Sequence, residues 1–171
     1  VLRAPARIAE DSEIVVLGSQ AILGSFADND LPDEATLSVE ADVAFLDDPD
    51  EAKSDRVDGA IGEESPFHVM YGYYGQGVTI ATAVLPEGWR ERVVPFERAD
   101  AARSTAVCIE AHDLVVSKLV AGREKDLSFA SALIREGLID PDVLHERAVL
   151  IPRPSAVQER VRAFVRRCAP T

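Results

Sequence analysis

The stretch Ser38-Val39-Glu40-Ala41-Asp42-Val43-Ala44-Phe45 constrains this chain most, because two carboxylates stand two apart inside a run that otherwise reads as a buried strand. Side chains alternate faces along a strand, so Glu40 and Asp42 project from one face, close together. Like charges held that close resist ionising together unless a cation sits between them. Upstream, Ile14-Val15-Val16-Leu17 runs into Gly18-Ser19-Gln20-Ala21, which reads as a strand, a tight small-residue turn and an apolar helix start. The backbone N–H groups of such a turn can cradle phosphate, and an acid pair can hold a divalent metal. Together they suit chemistry on a nucleoside triphosphate.

The chain has 171 residues, 47% of them hydrophobic, which is one domain's worth and enough to bury a core. The expectation is a single domain over 1–171, with a sheet core over 1–105 and a helical part over 106–171. No window approaches the apolar length of a membrane span, and no signal-peptide layout is visible. The chain opens at Val1 in what reads as mid-helix, as though residues precede it. Cys108 and Cys168 lie far apart without metal-ligand spacing, so both read as reduced, buried thiols of a cytoplasmic protein.

The net charge of -12 is concentrated. Residues 28–64 hold fourteen acids against Lys53 and Arg56, so this segment accounts for the whole imbalance. A solvated acidic loop system around one strand explains most of these side chains; the sharper reading is an acidic lobe that docks a basic partner. Arg147, Arg153, Arg160, Arg162, Arg166 and Arg167 then offer the basic surface. Overall acidity argues against binding nucleic acid by charge alone, though not against gripping one end of an RNA.

Periodicity predicts a first helix over 1–10, strands over 14–17 and 37–46, a helix over 20–26, loop chemistry at 28–32, and a charged helix or loop over 51–61. Residues 65–77 read as a glycine and aromatic turn region. Val78 to Val84 alternates as a third strand, and Val93 to Phe96 as a fourth. From about 106 the pattern turns helical: Glu110 to Ala121 capped by Gly122, a helix from Glu124 ending near Gly137, one opened by Asp140-Pro141, and a last one after Ser155. Strands first and helices afterwards predict an α+β domain, a mixed sheet with a helical C-terminal half.

In this order, Gly18-Ser19-Gln20-Ala21-Ile22-Leu23-Gly24, Ser38-Val39-Glu40-Ala41-Asp42, Gly62-Glu63-Glu64-Ser65-Pro66-Phe67-His68, Gly72-Tyr73-Tyr74-Gly75-Gln76-Gly77 and the run from His112 to Asp126 resemble the nucleotidyltransferase fold of the polymerase-β superfamily. The resemblance is closest to small bacterial nucleotidyltransferase-like proteins related to abortive-infection toxins. It implies a nucleotidyltransferase-like mixed sheet with flanking helices. It also implies that Gly18 and Ser19 contact phosphate, that Glu40 and Asp42 ligate magnesium, that Lys118 neutralises phosphate charge, and that Asp126 is a supporting acid. The toxin relatives transfer nucleotides onto RNA, in some cases the acceptor end of tRNA. The implied partners are a nucleoside triphosphate, an RNA such as tRNA or a protein hydroxyl, and a cognate antitoxin.

Two departures stand beside this resemblance. Glu40 replaces the usual first aspartate, and 78–84 carries no third carboxylate, which leaves open a catalytically depleted fold that binds nucleotide or protein. Ordinary roles also remain open for the single residues. Glu40 and Asp42 suit the exposed face of an edge strand with Val39, Ala41 and Val43 buried opposite. Lys118 suits a snorkelling helix-border lysine. Asp126 suits the first turn of a helix, where an acid complements the dipole. His68 reads as structural, and His112 and His145 show no partner spacing. Tyr71, Tyr73 and Tyr74 read as packing around the glycine turn, with base stacking as the alternative. Ser38 lies on the face of the acids, an unmodified hydroxyl or a modification site.

Overall fold

The computed structural model describes residues 3–96 and 106–169. Val1 and Leu2, and with them the expected start of the first helix, lie outside the described residues.

Helix α1 (Arg3–Ala9) leads into β1 (Ile14–Val16), whose three residues are all buried. The six residues after Gly18, Ser19–Gly24, form a 3-10 helix where an α-helix over 20–26 is expected. A further 3-10 turn, Asp28–Asp30, and the short helix α2 (Asp33–Thr36) carry the chain to β2 (Glu40–Phe45), which starts three residues later than expected. The charged segment beyond is helix α3 (Ala52–Ile61). Helix α4 (Pro66–Tyr71) occupies part of the expected turn region, since Ser65 Oγ accepts from His68 N at 3.1 Å and proline takes the first helical turn.

The third strand departs most from expectation. It is β3 (Tyr74–Gly77), not 78–84. After Val78 the chain bends into a 3-10 turn at Ile80–Thr82, so the alternation of Val78, Ile80, Thr82 and Val84 belongs to no ladder. Gly77 explains the choice, for a Cβ there would collide with the Ser54 carbonyl of α3. The bare strand lets α3 lie directly on it, and the Ser54 hydroxyl donates across this contact to the Val78 carbonyl at 3.1 Å. Gly77→Ala should therefore lower unfolding free energy by about 1–3 kcal/mol by prising α3 from the sheet, measured by urea denaturation.

A 3-10 turn at Trp89–Glu91 precedes β4 (Val94–Pro95), inside the expected fourth strand. Strand β5 (Val107–Cys108) is not predicted. The four long C-terminal elements follow as read: α5 (Ala111–Ala121), α6 (Glu124–Arg135), α7 (Pro141–Ala148) and α8 (Ser155–Cys168). Gly122 closes α5 in the left-handed region at φ 70°, and Asp140 caps α7 by accepting from Asp142 N at 2.8 Å.

The sheet runs β3-β2-β1-β5-β4. β1 pairs antiparallel with β2 and parallel with β5, β2 pairs parallel with β3, and β4 pairs antiparallel with β5. This is the expected α+β architecture: a mixed five-stranded sheet with flanking helices. Its core joins Ile14, Val15 and Val16 of β1, Val43 and Ala44 of β2, and Val115 and Val116 of α5. Helix α5 is apolar nearly all round because α6, α7, α8 and the 19–24 segment pack against it. Its one fully buried acid, Asp113, is met by Arg92 Nε at 2.8 Å and Arg147 Nε at 3.5 Å, which ties the 87–92 segment and α7 to this helix. Cys108 and Cys168 are unpaired; Cys108 is buried, Cys168 half-buried, and burial pushes the Cys108 thiol up to about 12. No helix among the described residues is long and apolar enough to cross a membrane.

Candidate active site

The ends of β1 and β2, β3 and one side of α5 enclose a cleft of about 600 Å³. Gly18, Ser19, Glu40, Asp42 and Lys118 all line it. These five come from segments up to a hundred residues apart in the chain, and the fold brings them to one place. Asp126, the sixth candidate, stands behind Lys118 and is fully buried.

The turn after β1 is held against β2 by main-chain pairing, with Leu17 N donating to the Asp42 carbonyl at 2.9 Å. Gly18 adopts φ 56°, and a Cβ there would overlap the Asp42 carboxylate. Only glycine allows this turn and the acid strand to come so close. Gln20 holds the same edge by donating from Nε2 to the Ser38 carbonyl.

On β2, burial alternates as expected from Glu40 to Val43, with Ala41 and Val43 buried and the two acids turned into the cleft. Val39 departs from that reading: it is 53% exposed, because the strand begins only at Glu40. Burial first, and then the Glu40 charge, push the Asp42 carboxyl up to about 6, against the pull of Lys118 and Lys125. Burial and a like charge both disfavour the ionised form of such an acid. Ser38 Oγ donates to the Glu40 carbonyl at 3.2 Å, so its hydroxyl serves its own strand.

Lys118 does not snorkel. It is 8% exposed, and its ammonium donates to Ser19 Oγ at 3.0 Å and to Asp126 Oδ1 at 3.2 Å, while lying 4.7 Å from the centre of the Phe129 ring. Burial pulls its pKa below the ordinary lysine value, and the Asp126 charge opposes that pull. Asp126 also accepts from Arg123 Nε at 2.6 Å and Nη2 at 3.3 Å. Burial alone would raise its carboxyl, but the Arg123 and Lys118 bonds outweigh it and hold Asp126 below the usual range. Asp126 therefore does more than complement a helix dipole. It fixes the lysine that points at the turn.

One cleft residue, Gln76, escaped the sequence reading, whereas Arg123 and Lys125 flank the cleft as expected of residues beside an inward-facing Lys118. Gln76 lines the cleft from β3, and the parallel register Asp42↔Gln76 sets it beside the acid pair. Arg123 and Lys125 bring positive charge to the cleft from the start of α6. The strand register could have revealed Gln76 only had β3 been placed at 74–77. His68 is structural: its Nδ1 accepts from Glu64 N at 3.1 Å and its ring packs on Tyr74. His112 does have partners, contrary to its sequence reading, with Nδ1 2.7 Å from Glu110 Oε1 and Nε2 accepting from Asp140 N.

The donor set suits one hard divalent cation. Glu40 and Asp42 supply carboxylate oxygens from one strand face into the cleft, the oxygen chemistry that a hard cation takes. Among the described residues, no cluster of three or more acids, histidines or cysteines could hold a metal. The basic surface expected from the C-terminal arginines is partly spent: Arg147 turns to Asp113, Arg160 donates to the Val120 carbonyl at 2.8 Å, and Arg162 and Arg166 pair with Glu159.

No curated protein and no solved structure matches this chain. A family model described as nucleotidyltransferase of unknown function (DUF6036) matches residues 4–165, spanning the turn, the acid strand and the lysine helix that form the cleft. The chain belongs to this nucleotidyltransferase family.

Proposed function

We propose that this protein is a magnesium-dependent nucleotidyltransferase that moves a nucleotide from a nucleoside triphosphate to a hydroxyl of RNA, such as tRNA, or of a protein. The observation that carries this reading is the convergence of the Gly18-Ser19 turn, the Glu40 and Asp42 carboxylates and the buried Lys118 on one cleft. In the reaction, the acceptor hydroxyl oxygen forms a bond to the α-phosphorus while the bond to the pyrophosphate oxygen breaks. The hydroxyl proton passes to solvent and pyrophosphate leaves. Glu40 and Asp42 would hold a magnesium ion, which supplies charge stabilisation of the phosphoryl oxygens. The backbone of Gly18 and Ser19 orients the phosphates, and Lys118 offers a fixed positive charge where negative charge develops. Asp126 and Ser19 keep that ammonium in place. Incubating the protein with labelled triphosphates and total tRNA or lysate tests the reading. Label should transfer with the wild type and not with a Glu40→Ala, Asp42→Ala variant; transfer by that variant would refute it.

Among the described residues no third acid joins Glu40 and Asp42 in a metal-holding cluster, which favours a second reading, a depleted fold that binds nucleotide without turnover. Both readings expect magnesium with a triphosphate to raise the melting temperature, by about 2.7 kcal/mol of added stability at a hundredfold excess over Kd. Asp42→Ala should erase that shift in differential scanning fluorimetry. Label transfer then separates the enzyme from the binding module.

The setting we infer is the toxin half of a bacterial toxin and antitoxin pair in the cytoplasm, with a basic antitoxin docked on the acidic lobe. An exposed apolar patch on α4 and the residues after it supports a protein partner. Val69 and Met70 are 81% and 73% exposed, and Tyr71 stacks on Tyr73, next to Val39 through the Tyr74 N to Val39 carbonyl bond. Glu63 and Glu64 lie just ahead of this helix, so a basic, apolar segment complements it. The association rate of a complex co-purified from the host should fall at least tenfold between 50 and 500 mM salt, roughly as expected for charge steering. A salt-independent rate, or contacts confined to α7 and α8, would remove the antitoxin from this lobe.

A further inference from the structure

In a parallel pair, residues opposite one another share a face, and the cleft-facing positions of β3 are therefore Tyr74 beside Glu40 and Gln76 beside Asp42. Tyr74 is buried against the His68 ring, which leaves Gln76 as the β3 side chain that reaches the acid pair. It is a neutral amide. Its side chain makes no hydrogen bond to another of the described residues, so it is not spent on holding the strand. The other charged groups facing the acids, Lys118, Arg123 and Lys125, are cations. Two carboxylates balance one divalent cation, and a second such ion in the same cleft would bring two further positive charges beside those of Lys118, Arg123 and Lys125, with no further carboxylate among the described lining residues to meet it.

We propose that Gln76 makes this cleft a one-cation site, and that Gln76→Glu alone opens a second divalent position between β2 and β3. The inference rests on the nucleotidyltransferase reading of the cleft and deepens it. The protein itself holds a single ion at Glu40 and Asp42, and any second ion arrives already bound to the triphosphate. Gln76 cannot take a proton from the acceptor hydroxyl as a carboxylate could; its amide can donate to a phosphate oxygen or accept from a ribose hydroxyl.

Manganese, a paramagnetic substitute for magnesium, tests this without any turnover. The full chain is titrated with Mn²⁺ in the absence of nucleotide, free ion is followed by electron paramagnetic resonance, and folding of each variant is checked by circular dichroism. Wild type should bind one Mn²⁺ per chain, Gln76→Ala also one, and Gln76→Glu two; Gln76→Asp, with a shorter carboxylate, serves if the glutamate variant does not fold. Two ions on wild type, one ion on both acidic variants, or loss of the ion in Gln76→Ala would overturn the inference while leaving the acid pair as the metal site. No Mn²⁺ on wild type, or undiminished binding by Asp42→Asn, would instead overturn the reading of the acid pair itself and the inference with it.

Discussion

Asp42→Asn should lower nucleotide transfer by about two to three orders of magnitude while making the metal-free protein more stable. The two effects have one cause. Asp42 is pressed by burial and by Glu40, so its charge is costly when no cation is near and is needed when one arrives. Loss of a group that stabilises charge in the transition state costs roughly 10²–10³-fold in rate. The stability effect has a defined pH window. Because the folded carboxyl titrates at about 6, above its ordinary value, its contribution is fully present below about pH 4 and is lost as pH rises through 6. A rise of about two units corresponds to about 3 kcal/mol as an upper bound. Asp126 acts in the opposite sense: held below the usual range, it stabilises above the ordinary aspartate pKa, and that stabilisation is lost as pH falls below it. In EDTA, wild type should therefore lose stability between pH 4 and 6 relative to Asp42→Asn, and the difference should disappear with saturating magnesium. Urea denaturation across this range measures it. Transfer by Asp42→Asn within tenfold of wild type, or equal stability of the two proteins in EDTA at pH 7.5, would show that this carboxylate is an ordinary surface acid.

Asp126→Ala should cost about 3–5 kcal/mol, the largest stability loss expected from any single change at this site. Removing it strands the Lys118 ammonium in a buried space beside Phe129 with only the Ser19 hydroxyl as a partner. Lys118→Met should cost much less, since the methionine fills the same volume and Asp126 keeps its Arg123 bonds. The double variant should then recover most of what Asp126→Ala loses, because no unpaired charge remains. Transfer separates the roles. Lys118→Met should stay folded yet lose transfer about a hundredfold, as expected for a lysine whose charge serves the triphosphate and not the fold. A double variant no more stable than Asp126→Ala, or Lys118→Met with full transfer, would mean that the pair is merely structural.

Local pattern made much of this fold legible. The acid pair at Glu40 and Asp42, the turn at Gly18, the Asp140-Pro141 helix start and the Gly122 cap all express rules that act over a few residues. Each is found where those rules put it. Where the structure differs, contacts distant in sequence decide. The strand chosen beside β2 is Tyr74–Gly77, with two glycines, in preference to the alternating run 78–84, because Gly77 admits α3 onto the sheet and a side chain there would not. Strand β5 is two residues long, too short for any periodicity, and exists because β1 and β4 pair with it on either side. Asp113, in the first turn of α5, is fully buried and is met by Arg92 and Arg147 from elements 21 and 34 residues away.

The candidate site divides along the same line. The sequence by itself determined that Glu40 and Asp42 share a strand face, that a glycine turn follows β1, and that Lys118 and Asp126 lie on successive helices, since these follow from backbone periodicity and capping alone. Only the tertiary structure decided that Lys118 is buried and bonded to Ser19 and Asp126, that Asp42 is raised to about 6, and that Gln76 stands beside it. A side chain's charge, burial and partners depend on what is packed against it, and here those groups come from β3, α5 and α6, whose positions are set by the pairing of β1 with its neighbours and by the closing of the helical half over the cleft.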